Sequence, residues 1–176
     1  MTRAASSIGP IGPIVSSSHL AEGASPALSE FEFGLILVSH AFQRWTVRGM
    51  AAAGYPDLSP LDVLALHSVA HRGKAKRLAD ICLVLNVEDT HLIAYALKKL
   101  ERLGLVAGGR AGKEKTAALT AKGRAACEAY RRIREEVLVA AVKSVGLDET
   151  QLAEAARRMR ALSGHYDQAA RAAASL

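Results

Sequence analysis

Residues 86–123 read NVEDTHLIAYALKKLERLGLVAGGRAGKEKTAALTAKG, and their pattern decides the fold. Ile93, Leu97 and Leu100 recur at helical spacing, so a helix over 88–103 turns them inward and presents Thr90, His91, Ala94, Tyr95 and Lys98 outward. At 1.5 Å per residue such a helix is about 24 Å long, enough to cross the major groove of a duplex. Gly104 ends it. Two short β-prone runs, 106–109 and 116–119, then flank a tip at 110–115, where Gly108, Gly109 and Gly112 permit a turn and Arg110, Lys113 and Lys115 carry positive charge. Residues 120–123 open a further helix.

Working outward, a short helix over 76–85 offers Leu78, Ala79, Ile81, Cys82 and Leu85 for packing, and a tight turn at Asn86 and Val87 leads to the longer helix. Before it, Ser59-Pro60-Leu61-Asp62 starts a helix: Ser59 caps, Pro60 occupies the first turn, and Asp62 faces the positive helix end. It runs to about His71 and is apolar on more than one side, which places it between other elements. From Leu28 to near Gly54, Phe31, Leu35, Val38, Phe42 and Trp45 recur down one face of another helix. Residues 1–27, with IGPIGPIVSSSHL, read as an arm that is disordered or drapes over a partner. After the hairpin come two long helices. The first, over 121–145, carries Ala126, Tyr130, Ile133, Val137 and Ala140, and Gly146 closes it; the second begins at Asp148 with Gln151 as a capping box. Its Leu152, Ala155, Met159, Leu162, Tyr166 and Ala169 alternate at three and four residues, the pattern of a helix-to-helix seam.

The expected fold is mainly α with a small β wing: a winged helix-turn-helix domain with long N- and C-terminal dimerisation helices. Its regions are an arm at 1–27, an N-terminal helix of the dimerisation region at 28–57, a DNA-binding lobe at 58–120 and a C-terminal dimerisation region at 121–176.

Composition agrees. The chain has 176 residues, half of them apolar, room for one buried domain plus helical extensions. Its net charge of +6 sits over the helix and hairpin: residues 76–124 hold ten Lys and Arg against five Asp and Glu, and the remainder thirteen against twelve. Phosphate neutralisation with counterion release requires such a concentration. Two cysteines are too few for a disulfide framework and point to a reducing cytoplasm. No signal-peptide core and no apolar run of membrane-spanning length is present, so no membrane partner is expected.

With LKKLERLGLV at 97–106 and ALTAKGRAACEAY at 118–130, the chain resembles the MarR family of winged-helix transcription regulators over 61–138. The resemblance implies a homodimer on a pseudo-palindromic operator, often a repressor released by a small ligand. Its base-contacting face falls on Thr90, His91, Ala94, Tyr95 and Lys98, with Lys76, Arg110, Lys113 and Lys115 as further DNA contacts. Many relatives have a hydroxyl followed by arginine where this chain has Ala94 and Tyr95, and commonly an Asp-Arg pair in the wing where it has Ala111 and Gly112. The dimer contacts implied are Phe31, Leu35, Leu152, Met159, Leu162 and Tyr166. The family's ligand pocket falls on Phe42, Trp45, Arg48, Leu64, His67 and Tyr130, where Trp45 with Arg48 suits an aromatic acid.

Other chemistries find weaker support. His67 and His71 stand four apart, a spacing compatible with one metal ion, but no nearby Cys, Asp or Glu completes a ligand set. No metal or cofactor is expected. Cys82 and Cys127 sit in apolar helical patterns, where a thiol is generally inert. Asp62 and Glu88 lack a nucleophile at catalytic spacing, and GGRAG at 108–112 is a turn rather than a phosphate loop. The rival reading is a winged helix that binds protein, which the acids Glu88 and Asp89 at the start of the reading helix favour.

Overall fold

A computed structural model of the protein describes residues 12–146 and 148–176; the first eleven residues of the arm lie outside the described residues. The chain divides into two compact units between Cys127 and Glu128.

In the first unit, α1 (Ser18–Ala21) and α2 (Pro26–Ala52) precede α3 (Pro60–Ala70). Residues 18–21 of the arm are therefore helical, and Ser29 Oγ on α2 donates to the Leu20 carbonyl at 2.6 Å. Ser59 and Asp62 form a complete capping box at the start of α3, their reciprocal bonds measuring 3.2 and 2.8 Å. As its apolar periphery requires, α3 is the central helix and packs against α2, two later helices and the wing. Val63, Leu66 and Val69 are wholly buried, each worth roughly 1.5–3 kcal/mol relative to exposure. On α2 the buried residues are Ser29, Thr46, Gly49 and Met50, whereas Leu35, Val38 and Phe42 of the expected apolar face stay exposed.

The next elements are a 3-10 turn (His71–Gly73), β1 (Lys76–Arg77), α4 (Leu78–Leu85) and α5 (Thr90–Arg102). The short helix thus begins at Leu78, because Lys76 and Arg77 pair as a strand with Ala117 and Thr116. Asn86 ends α4 in the left-handed region (φ 52°), which asparagine tolerates, and Val87 N–H closes the turn on Cys82 O at 2.9 Å. Asp89 caps α5, its carboxylate accepting from His91 N–H at 2.8 Å. With 13 residues α5 is about 20 Å long, shorter than expected but still longer than a major groove is wide.

The wing consists of β2 (Val106–Ala111) and β3 (Glu114–Leu119), and the sheet order is β1-β3-β2, all antiparallel. Both strands run two residues further toward the tip than the sequence indicates, leaving a two-residue turn of Gly112 and Lys113. Gly112 takes φ +63°, as the first central position of a type II′ turn demands. Gly108 and Gly109 are ladder residues opposite Ala117 and Thr116, not turn formers.

α6 (Ala121–Ile133) crosses between the units and runs on through a π-helical segment (Arg134–Val139) into α7 (Ala140–Ser144). α8 (Glu149–Ala173) opens with the expected box of Asp148 and Gln151, bonded at 2.8 and 3.1 Å. No residue of α8 is buried. No described helix is long and apolar enough to cross a membrane.

Candidate nucleic-acid interface

Helix α5 divides cleanly. Ile93, Ala96 and Leu100 are buried against the lobe, while His91, Tyr95 and Lys98 stand exposed, Tyr95 at 77%. Arg102 continues this ridge at i, i+4, i+7 and i+11, and it is exposed too. It was absent from the sequence-derived set although helical spacing alone predicts it. Between α5 and the wing lies a groove of about 520 Å³, lined among others by His91, Ala94, Tyr95, Lys98, Gly108, Gly109 and Lys115. Five of the expected DNA contacts thus share one concave surface. Thr90 is exposed at the helix start, Lys76 is half-buried on β1, and Lys113 stands at the tip.

Arg110 and Lys115 are directly paired across the β2–β3 ladder, so two like charges are held side by side. Nearby anions would relieve that repulsion. Gly108 has a separate role: a Cβ there would come within 2.7 Å of Glu101 Oε1, the atom that accepts Gly108 N–H at 3.1 Å.

Other cations are turned inward. Lys99 Nζ bonds Asp62 Oδ2 at 2.7 Å and also the Asp57 carbonyl, tying α5 to the α3 cap. Lys122 Nζ donates to Leu103 O at 2.8 Å and stands 6.0 Å from the centre of the Tyr55 ring. Asp89 is consumed in capping, which gives an acid at the start of α5 a structural reason to be there.

The expected ligand residues do not form one set in the first unit. Trp45, Leu64 and His67 are half-buried and Phe42 is exposed. Arg48 lines a different concavity of about 370 Å³ with His40, Gln43, Arg44, Val47 and Pro60. On a helix Arg48 lies some 120° around from Phe42, so its guanidinium serves another face. Tyr130 belongs to the second unit. Burial pulls the His67 pKa below its ordinary value, which disfavours a charged imidazole there. Cys82 is buried, and desolvation pushes the Cys127 thiol up to about 11, away from reactivity. Of the expected dimer contacts, Leu35, Leu152, Met159 and Tyr166 are exposed, and Phe31 and Leu162 are half-buried.

Residues 58–123 match the family described as winged helix DNA-binding domain. No curated protein sequence matches the chain. Solved structures do: a MarR transcriptional regulator from Methanosarcina mazei Go1 (17% identity, TM-score 0.62) covers 83% of this chain and 99% of its own. A MarR-family transcriptional regulator from Rhodococcus sp. RHA1 (16%, TM-score 0.61) covers 76% and 91%. CouR from Rhodococcus jostii RHA1, bound to p-coumaroyl-CoA (16%, TM-score 0.62), covers 75% and 90%. With residues 58–123 matching that family, the chain has the fold of the MarR-family transcriptional regulators.

Proposed function

We propose that the protein is a homodimeric, sequence-specific DNA-binding transcription regulator, a repressor whose hold on a pseudo-palindromic operator is modulated by a small aromatic effector. The observation that carries this reading is the exposed ridge of His91, Tyr95, Lys98 and Arg102 beside a wing that holds Arg110 and Lys115 in forced register. The ridge suits base edges in the major groove and the wing suits phosphates alongside. With no arginine beside Ala94, guanine reading falls to Lys98 or Arg102, and Tyr95 meets a thymine methyl or a phosphate. Repression would follow from occupying DNA that polymerase needs. An effector would act by changing the separation of two reading helices that must match half-sites about 34 Å apart. The aromatic acyl ligand on CouR supports an effector of that class, and half-buried Trp45 is the residue here that would report it.

Binding to a labelled duplex selected from a random pool, followed from 50 to 300 mM salt, tests the reading. Affinity should fall with a log-log slope of about −0.9 for each phosphate neutralised. The competing reading, a protein-binding winged helix, draws on Leu83 and Val84, 81% and 73% exposed on α4. Salt-independent binding, or none, would favour it.

Dimerisation is supported by apolar side chains that a single chain leaves in water: Leu35, Ile36, Leu37 and Val38 on α2, and Leu152, Met159 and Tyr166 on α8. Met159→Glu should shift the mass measured by sedimentation from dimer to monomer and weaken selected-duplex binding. A variant that remains dimeric would remove α8 from the interface.

A further inference from the structure

The base of the wing is held by a short ladder. Strand β1 contributes two pairs, Lys76 with Ala117 and Arg77 with Thr116, and beyond Thr116 the hairpin continues to its tip without further pairing on that side. At this point a side-chain bridge takes over. The Arg77 guanidinium donates to both oxygens of Asp80, from Nε at 2.9 Å and from NH2 at 2.8 Å, and its remaining arm reaches Glu114 Oε2 at 3.1 Å. Asp80 lies in the first turn of α4, and Glu114 is the first residue of β3 after the turn. One planar fork therefore joins the helix-turn-helix to the far end of the wing, 37 residues away in sequence.

Exposed ion pairs are usually weak, but a bidentate fork shared by two carboxylates is the geometry in which they are not. The two acids hold Arg77 in its charged form well above its ordinary pKa, and Arg77 holds Asp80 below its own. A lysine could not reproduce this arrangement, having no fixed fork. The bridge also explains an acid in an awkward place: Glu114 stands between Lys113 and Lys115, where a carboxylate would oppose phosphate.

We infer that Arg77 and Glu114 form a latch that sets the angle of the wing against the reading helix, with Arg77 a positioning residue rather than a phosphate ligand. The latch itself is a property of the free protein; only its effect on binding rests on the DNA-binding reading above.

Hydrogen–deuterium exchange on the full-length protein tests the latch without DNA. In Arg77→Gln and in Glu114→Gln, amides of residues 106–119 should exchange about two- to fivefold faster, with those of α3 unchanged. The double variant should exchange no faster than either single one, because the two residues act through one bridge. Lys113→Gln, which removes tip charge only, should exchange at the wild-type rate in the absence of DNA. Unchanged wing exchange in both single variants would overturn the latch. On the selected duplex, both variants should bind more weakly, and Arg77→Gln should keep the wild-type salt slope. A slope reduced by about 0.9 per subunit would make Arg77 a phosphate ligand and overturn the assignment. Tighter binding by Glu114→Gln would also overturn it, showing that the acid merely repels DNA. If wild type binds no duplex, the regulator reading fails while the exchange measurement still decides the latch.

Discussion

Gly123→Ala is expected to lower the melting temperature sharply, although the residue lies inside helix α6, where alanine is ordinarily the better helix former. The reason is proximity. A Cβ at Gly123 would fall 2.0 Å from the Leu105 carbonyl oxygen and 2.8 Å from Leu119 Cδ1. The carbonyl cannot retreat, because it already accepts Thr120 N–H at 3.1 Å and the Thr120 hydroxyl lies 3.0 Å from it. That same hydroxyl is 2.7 Å from Gly104 O and accepts Gly123 N–H at 2.9 Å, so one threonine pins the end of α5, the foot of the wing and the start of α6 together. Overpacking against fixed backbone should cost about 3 kcal/mol, a fall of roughly 6–12 °C for a chain of this size. Gly164→Ala on α8 supplies the control, since nothing lies within 4 Å of its Cβ position. It should hold or raise stability by about 0.5–1 kcal/mol. Equal melting temperatures for the two variants would mean that α6 and the wing do not meet as described.

The second large effect concerns affinity. Lys98 lines the groove on α5 and Lys113 forms the wing turn; among the described residues neither engages in a hydrogen bond or ion pair. Replacing both with alanine leaves the core untouched and removes two cations per chain from the surface proposed to face DNA. If each meets one phosphate, a dimer loses four such contacts and the log-log salt slope should flatten by roughly 3.6. At physiological ionic strength the loss should be on the order of 10²–10³-fold, for selected and unselected duplexes alike. The ratio between the two should change far less, because phosphate contacts position a protein and do not read sequence. Unaltered slopes would take both lysines out of the interface. A loss confined to the selected duplex would instead make Lys98 a base reader.

Local signals in the chain were sufficient for much of this architecture. The Ser59 cap, the Asp148 box, the stop at Gly104 and the inward and outward faces of α5 all follow from residues within a few positions of one another. Features created by distant partners were not. Lys76 and Arg77 have no strand period of their own and become β1 only because β3 offers an edge. The wing glycines resemble a loop until the register pairs Gly108 and Gly109 with Ala117 and Thr116. On α2 the eye follows Phe31, Leu35 and Phe42, yet the buried residues are Ser29, Thr46, Gly49 and Met50, of which only Met50 is a large apolar side chain. Charge counting overstated the surface available to phosphates for the same reason: Arg77, Lys99 and Lys122 are bound to groups 37, 37 and 19 residues away. Side chains on one helix are placed together by its period alone, whereas side chains drawn from several elements are brought together only by the tertiary fold.

The π-helical turn at Arg134–Val139 has a bearing on how this protein can vary. Such a turn accommodates one residue more than the regular spiral, so everything downstream is rotated by about 100° relative to a plain α-helix. Tyr130 and Ala140 therefore do not share the line that counting by threes and fours assigns them. A related chain one amino acid shorter in this stretch would regain ordinary pitch and present a different set of side chains from Ala140 onward. A single-codon deletion here would be absorbed as a change of heading, with the hydrogen-bonded rod left intact.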